Sequence, residues 1–175
     1  MSADESKIPD YINILRRTDV FYDLSDSQLE MIAGICSEVE YKMGQMIFEE
    51  NTPGNELHVI AIGEVEILLD PSLVQPGAEK GDKDSRVTIA TLRQGQTFGE
   101  VTLVDEGLRT ASARTAGRKT RLLVIPRDSL LALCDNYPEL GYRVMRNMAA
   151  DLAFKIRGTD LMIREQLLWR PSRHR

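Results

Sequence analysis

The chain is poor in the residues that most chemistry requires. Its 175 residues include two histidines, two cysteines and one tryptophan. His58 and His174 lie far apart, so clustered imidazoles for a metal are lacking, and no nucleophile–base pairing with a usable histidine is apparent. We therefore expect no enzyme, no catalytic residue, no metal and no cofactor. Cys36 and Cys134 sit singly in apolar helical patterns without CxxC spacing and read as buried free thiols. Positive charge is also short: 22 Lys and Arg stand against 27 Asp and Glu, for a formal charge of −5. A duplex-binding surface needs a basic face, and this composition does not supply one. No basic-then-apolar segment opens the chain, and no apolar run approaches the roughly 20 residues that span a bilayer. The expectation is a cytoplasmic protein without a membrane segment.

What is present is a change of hydrophobic period along the chain. Ile8, Tyr11, Ile12, Ile14 and Leu15 fit a short amphipathic helix over residues 8–17. Ser25 opens a second helix running to about Cys36, with Gln28 at capping-box spacing and Leu24 and Leu29 placed as a hydrophobic staple. From Val39 the period becomes two: Val39, Tyr41 and Met43 alternate with polar residues up to Gly44. Strands are predicted over 45–48, 57–62, 64–69, 86–92, 109–115 and 120–125, punctuated by glycines at 54, 63, 95, 99, 107 and 117. Many short strands with glycine turns suggest a sandwich or jelly roll, which leaves no long unprotected edge. Residues 70–85, with two prolines and two glycines, read as a long exposed, mobile loop.

After Pro126 the helical period returns. Met145, Met148, Leu152, Ile156, Thr159, Ile163 and Leu167 form one stripe, and the pattern leaves open whether 139–169 is one helix or two with a kink at Gly158. A helix this long packs on its own barrel for only part of its course. Leu161, Ile163, Leu167, Leu168 and Trp169 then need another partner, and a homodimer seam is favoured slightly over intramolecular packing alone. The chain divides into N-terminal helices at about 10–37, a β-barrel at 38–126, C-terminal helices at 127–169 and a basic tail at 170–175, within a single domain 1–175.

The segment of greatest chemical interest is Phe98-Gly99-Glu100-Val101-Thr102-Leu103, followed nine residues after the glutamate by Arg109-Thr110-Ala111. The apolar run Val101–Val104 reads as a turn or two of helix starting at the glycine. Gly99 permits close backbone approach, and a helix start offers free N–H groups to an anion. Arg109 leads into a strand of small residues, Ala111 and Ala113. An arginine pointing into a barrel needs an anionic partner, which either Glu100 or a ligand phosphate can supply.

These residues resemble the phosphate-binding cassette of the cyclic nucleotide-binding domain family, of the catabolite activator and kinase regulatory subunit type. Phe21, Leu24-Ser25 and Leu29 resemble the family's F-x-x-L-S helix start. Gly44 to Glu50, Gly54, Leu57 to Ile60 and Gly63-Glu64-Val65 are similar to its early strands. The likeness covers roughly residues 10–160. It implies a double-stranded β-helix (jelly-roll) barrel, mainly β, flanked by N-terminal helices, a short cassette helix and long C-terminal helices. It also implies a ligand site for cAMP or cGMP at Phe98, Gly99, Glu100, Val101, Thr102, Leu103, Arg109, Thr110 and Ala111. By resemblance, Glu100 accepts from the ribose 2′-hydroxyl, Arg109 pairs with the cyclic phosphate, and backbone N–H groups of 99–103, Thr110 and Ala111 complete the cradle. Thr110 suits guanine or phosphate alike, so the base stays open.

Four positions depart from the family pattern. Asn51 replaces a glycine, His58 a tyrosine, Thr102 an alanine, and Leu108 a proline or glutamine. Asparagine tolerates a left-handed backbone, and a barrel-packing role is expected for His58. The base is expected near Lys155 to Asp160, with Arg157, Thr159 and a cap from Trp169 as the weaker assignments. The resemblance thus implies a regulatory sensor that relays through its C-terminal helices to an unknown effector, stand-alone and without a DNA-binding domain. The alternative is a degenerate fold that serves as a dimerisation or interaction module without ligand.

Overall fold

A computed structural model of the protein describes residues 5–70 and 86–168, with side chains as far as Arg164. The predicted loop 70–85 beyond Asp70, the side chains of Leu167 and Leu168, Trp169 and the tail 170–175 lie outside the described residues.

Helix α1 (Ile8–Leu15) buries Tyr11 and Leu15 and ends two residues short of the predicted span. Helix α2 (Asp26–Ile35) starts at a complete capping box. The Gln28 N–H donates to Ser25 Oγ at 3.3 Å, and the Ser25 N–H donates to Gln28 Oε1 at 2.9 Å. Leu29 is buried and Leu24 packs against the same cluster, as the staple requires.

Eight strands follow: β1 (Ser37–Lys42), β2 (Met46–Phe48), β3 (Glu56–Ile62), β4 (Glu64–Leu69), β5 (Val87–Arg93), β6 (Thr97–Phe98), β7 (Ser112–Thr115) and β8 (Lys119–Pro126). They form two antiparallel four-stranded sheets, ordered β1-β8-β3-β6 and β2-β7-β4-β5. This is the jelly-roll barrel. Period two assigns the faces. Outward from β3 and β8, Leu57, Val59, Ala61, Leu123 and Ile125 join one core with Tyr11, Leu29, Ile32, Leu130, Val144 and Met148 of the helices. Inward, Ile60, Leu122, Val65, Ala113 and Phe98 fill the barrel. Leu57 to Ala61 are all buried because both faces of β3 are covered, which explains their near-continuous apolar run.

The cassette helix α3 (Val101–Asp105) joins β6 to the turn before β7. Helix α4 (Arg127–Asn136) then leads into α5 (Pro138–Leu168), a single 31-residue helix that passes through Gly158 without a break. The predicted stripe on α5 is packed at Met145, Met148 and Leu152, and exposed further on, at Ile156 and Ile163. Two local expectations are corrected. Met43 falls beyond β1 and is 66% exposed, because the chain turns at Gly44 (φ +76°). Arg109 does not belong to β7, which starts only at Ser112. Its N–H donates to Thr52 O at 2.8 Å and its C=O accepts from the Asn51 N–H at 2.8 Å, pinning it to the turn at 51–52 instead. Asn51 there has φ +61°, the left-handed conformation expected of it.

Candidate functional site

Arg109 is the focus of the cassette. It is only 4% exposed, yet no carboxylate pairs with it among the described residues. Nη1 donates to Gly99 O and to Thr102 Oγ1, both at 3.1 Å, and Nη2 donates to Glu56 O at 3.1 Å. Three of the roughly five guanidinium donors are thus engaged by neutral oxygens, and the buried Nε–H has no partner. Phe48 lies over the guanidinium at 4.1 Å to its ring centroid. Burial pulls the Arg109 pKa below its ordinary value, against the opposing pull of Glu56 and Glu100. The arginine nevertheless stays cationic.

Two glycines make room for this side chain. A Cβ at Gly54 would lie 2.4 Å from Arg109 Nε, and a Cβ at Gly99 would lie 2.4 Å from Nη1. Gly99 also has φ +84°. Thr102, one of the departures from the family pattern, bridges the pair: its hydroxyl donates to Gly99 O at 3.2 Å and accepts from Arg109.

Glu100, 5% exposed at the start of α3, does not pair with Arg109, which corrects the internal ion pair considered from the sequence. Its partner comes from α5: Lys155 Nζ donates to Glu100 Oε1 at 3.0 Å and to Thr97 O at 2.9 Å, and meets Asp151 Oδ2 at 2.7 Å. A buried carboxylate needs such a cation, and the helix supplies it. Lys155 lies at the near edge of the stretch singled out for the base, but Arg157 and Thr159 do not reach the cassette. Both are exposed, and they hydrogen-bond back to Ala153 O and Lys155 O within their own helix.

The remaining cassette residues divide by burial. Phe98, Thr102 and Leu103 are buried, Gly99, Val101 and Ala111 half-buried, and Thr110 exposed. His58 stacks on Phe98 with centroids 4.9 Å apart and rings 15° from parallel. Its burial, and after that the charge of Arg109, holds its pKa down to about 3, so it packs as a neutral ring. A cavity of about 240 Å³ adjoins Arg109, lined also by Tyr41, Phe48, Asn55, Glu56 and His58. Arg109 is its only wall from the cassette.

Cys36 and Cys134 are both buried free thiols, the first pushed up to about 12 by burial, so neither is poised for chemistry. Among the described residues no three His, Cys, Asp or Glu side chains are placed to hold a metal ion. No helix there is long and apolar enough to cross a membrane.

A buried arginine set by two glycines, a buried glutamate at the start of a short helix, and an eight-stranded jelly roll between helices define a class. The family model for the cyclic nucleotide-binding domain matches residues 38–137. The chain belongs to the cyclic nucleotide-binding domain family.

The cyclic AMP receptor protein of Thermus thermophilus is 30% identical over 147 residues, covering 84% of this chain and 61% of that protein. Isozyme 1 of the cGMP-dependent protein kinase of Drosophila melanogaster is 26% identical over 155 residues, covering 89% of this chain and 19% of the kinase. This chain therefore spans less than two thirds of the length of either relative. In fold, it resembles the crystal structure of a cyclic nucleotide-binding domain from Methylobacillus flagellatus, with a TM-score of 0.76 at 22% identity over 95% of this chain and 87% of that one.

Proposed function

We propose that this domain binds a 3′,5′-cyclic nucleotide, cAMP or cGMP, inside its barrel and relays occupancy through α4 and α5. The observation that carries this reading is Arg109: a buried cation whose hydrogen-bond acceptors are all neutral oxygens, with an unpartnered Nε–H, in a segment that resembles the family's phosphate cassette. A cyclic phosphate would supply the missing anion, and an arginine fork suits it. Glu100 would accept from the ribose 2′-hydroxyl through Oε2, since Lys155 already occupies Oε1. The N–H groups at the start of α3, with those of Thr110 and Ala111, would complete the phosphate cradle. Relatives named for cAMP and for cGMP both match this chain, so the base preference is left to the side chains facing it, Thr110 among them.

Lys155 gives the relay a physical basis, because the same carboxylate would touch both ligand and helix. The exposed apolar residues of distal α5 support a second element of the proposal, a homodimer seam. Phe154 and Leu161 stand one heptad apart on one face of the helix, and both are more than half exposed.

A thermal-shift titration with each nucleotide tests binding. At a ligand concentration a hundredfold above Kd, stability should rise by about 2.7 kcal/mol. An unchanged melting temperature at millimolar concentrations of both nucleotides would favour the fold without a ligand.

A further inference from the structure

Helix α3 is five residues long, and its last carbonyls have no intrahelical partner. It ends without a glycine, on Glu106 in the left-handed conformation at φ +57°. The structure places one side chain across that end. Arg127, the first residue of α4, donates from Nε to Leu103 O at 3.0 Å and from Nη2 to Glu106 Oε1 at 2.6 Å. Its own backbone N–H donates to Asn55 O at 2.8 Å. The next carbonyl along, Glu56 O, accepts from Arg109. The Arg127 side chain is 17% exposed and its Glu106 partner 73%, so the carbonyl contact is the sheltered one.

We propose that Arg127 is the positioning residue that couples the cassette to the C-terminal helices. It clamps the far end of α3 while its backbone holds the strand that carries an acceptor for Arg109. A shift of α3 by even a fraction of a turn changes the Leu103 O to Arg127 distance, so α4 must follow or the bond must break. The reverse also holds: any partner that moves α4 alters the order of α3 and hence ligand affinity. This inference rests on the nucleotide-binding reading and adds the route by which occupancy reaches α4.

Hydrogen–deuterium exchange of the full chain, with and without saturating cAMP or cGMP, tests it in wild type, Arg127→Gln, Arg127→Lys and Glu106→Gln. In wild type, nucleotide should change exchange in residues 99–105 and in residues 127–136 together. In Arg127→Gln the cassette change should remain, the α4 change should be lost, and affinity should weaken by about fivefold or more. Arg127→Lys keeps a donor for Leu103 O and should restore part of the α4 change. Glu106→Gln removes only the exposed charge partner and should shrink it, which keeps the test decisive should Arg127→Gln fold poorly. A full α4 response in Arg127→Gln, or in both of the other variants, overturns the coupling. So does a wild type that responds at 99–105 and not at 127–136. A wild type with no response anywhere overturns the nucleotide-binding reading itself, and the coupling with it.

Discussion

Gly54 and Gly99 both lie against the Arg109 guanidinium, but they differ as tests of it. Gly99 has a positive φ, so a side chain there is strained whatever the space; no such strain attaches to Gly54. Gly54→Ala is therefore a purely steric probe, its new methyl 2.4 Å from Arg109 Nε. It should cost about 1–3 kcal/mol of stability by overpacking and weaken nucleotide binding through displacement of the arginine. Chemical denaturation with a parallel binding titration checks both. His58 supplies a second residue-scale test. It binds a proton in the unfolded chain below its ordinary pKa, and in the folded protein only near 3. Between those two values the unfolded state holds more protons, so stability falls as pH falls, by up to about 1.4 kcal/mol per pH unit. His58→Phe keeps an aromatic ring on Phe98 and should flatten this dependence between about pH 6.5 and 4.5 in pH-dependent melts.

At the scale of elements, what could be read from the sequence depended on whether the signal is local. The capping box at Ser25 and Gln28, the period-two runs and the α5 stripe all lie within a few residues, and the corresponding helices and strands are where they were expected. Strand β6 has two residues, too few to show a period, and exists through its pairing of Phe98 with His58 and of Thr97 with Val59. The small residues after Arg109 predict a strand that starts at it, but its backbone is claimed by Asn51 and Thr52 first. Residues 98–111 were recognisable as a group because they are contiguous. Lys155 was not recognisable as the partner of Glu100, since the two are 55 positions apart and share no pattern. Helix α5 carries its own prediction. If its distal face is a homodimer seam, light scattering should give a mass near twice 19.7 kDa, and Leu161→Glu should return the 19.7 kDa monomer. A wild type that elutes as a monomer at tens of micromolar would contradict the seam.

At the scale of the molecule, two cores share the strands β3 and β8, one inside the barrel and one under the helices. The cassette spans both. Leu103 is buried among the helices, and Phe98 fills the barrel. A ligand bound at Arg109 and Glu100 would therefore act on both cores at once, the arrangement a regulatory module needs if binding is to change helix packing. The direct test is titration calorimetry of protein refolded free of nucleotide, with cAMP and cGMP, beside Arg109→Ala. Binding of at least one nucleotide at micromolar Kd or tighter is expected, weakened in the variant by about 2–5 kcal/mol, on the order of thirtyfold or more. Absence of heat with both nucleotides, or equal affinity in wild type and Arg109→Ala, would contradict a phosphate-reading site.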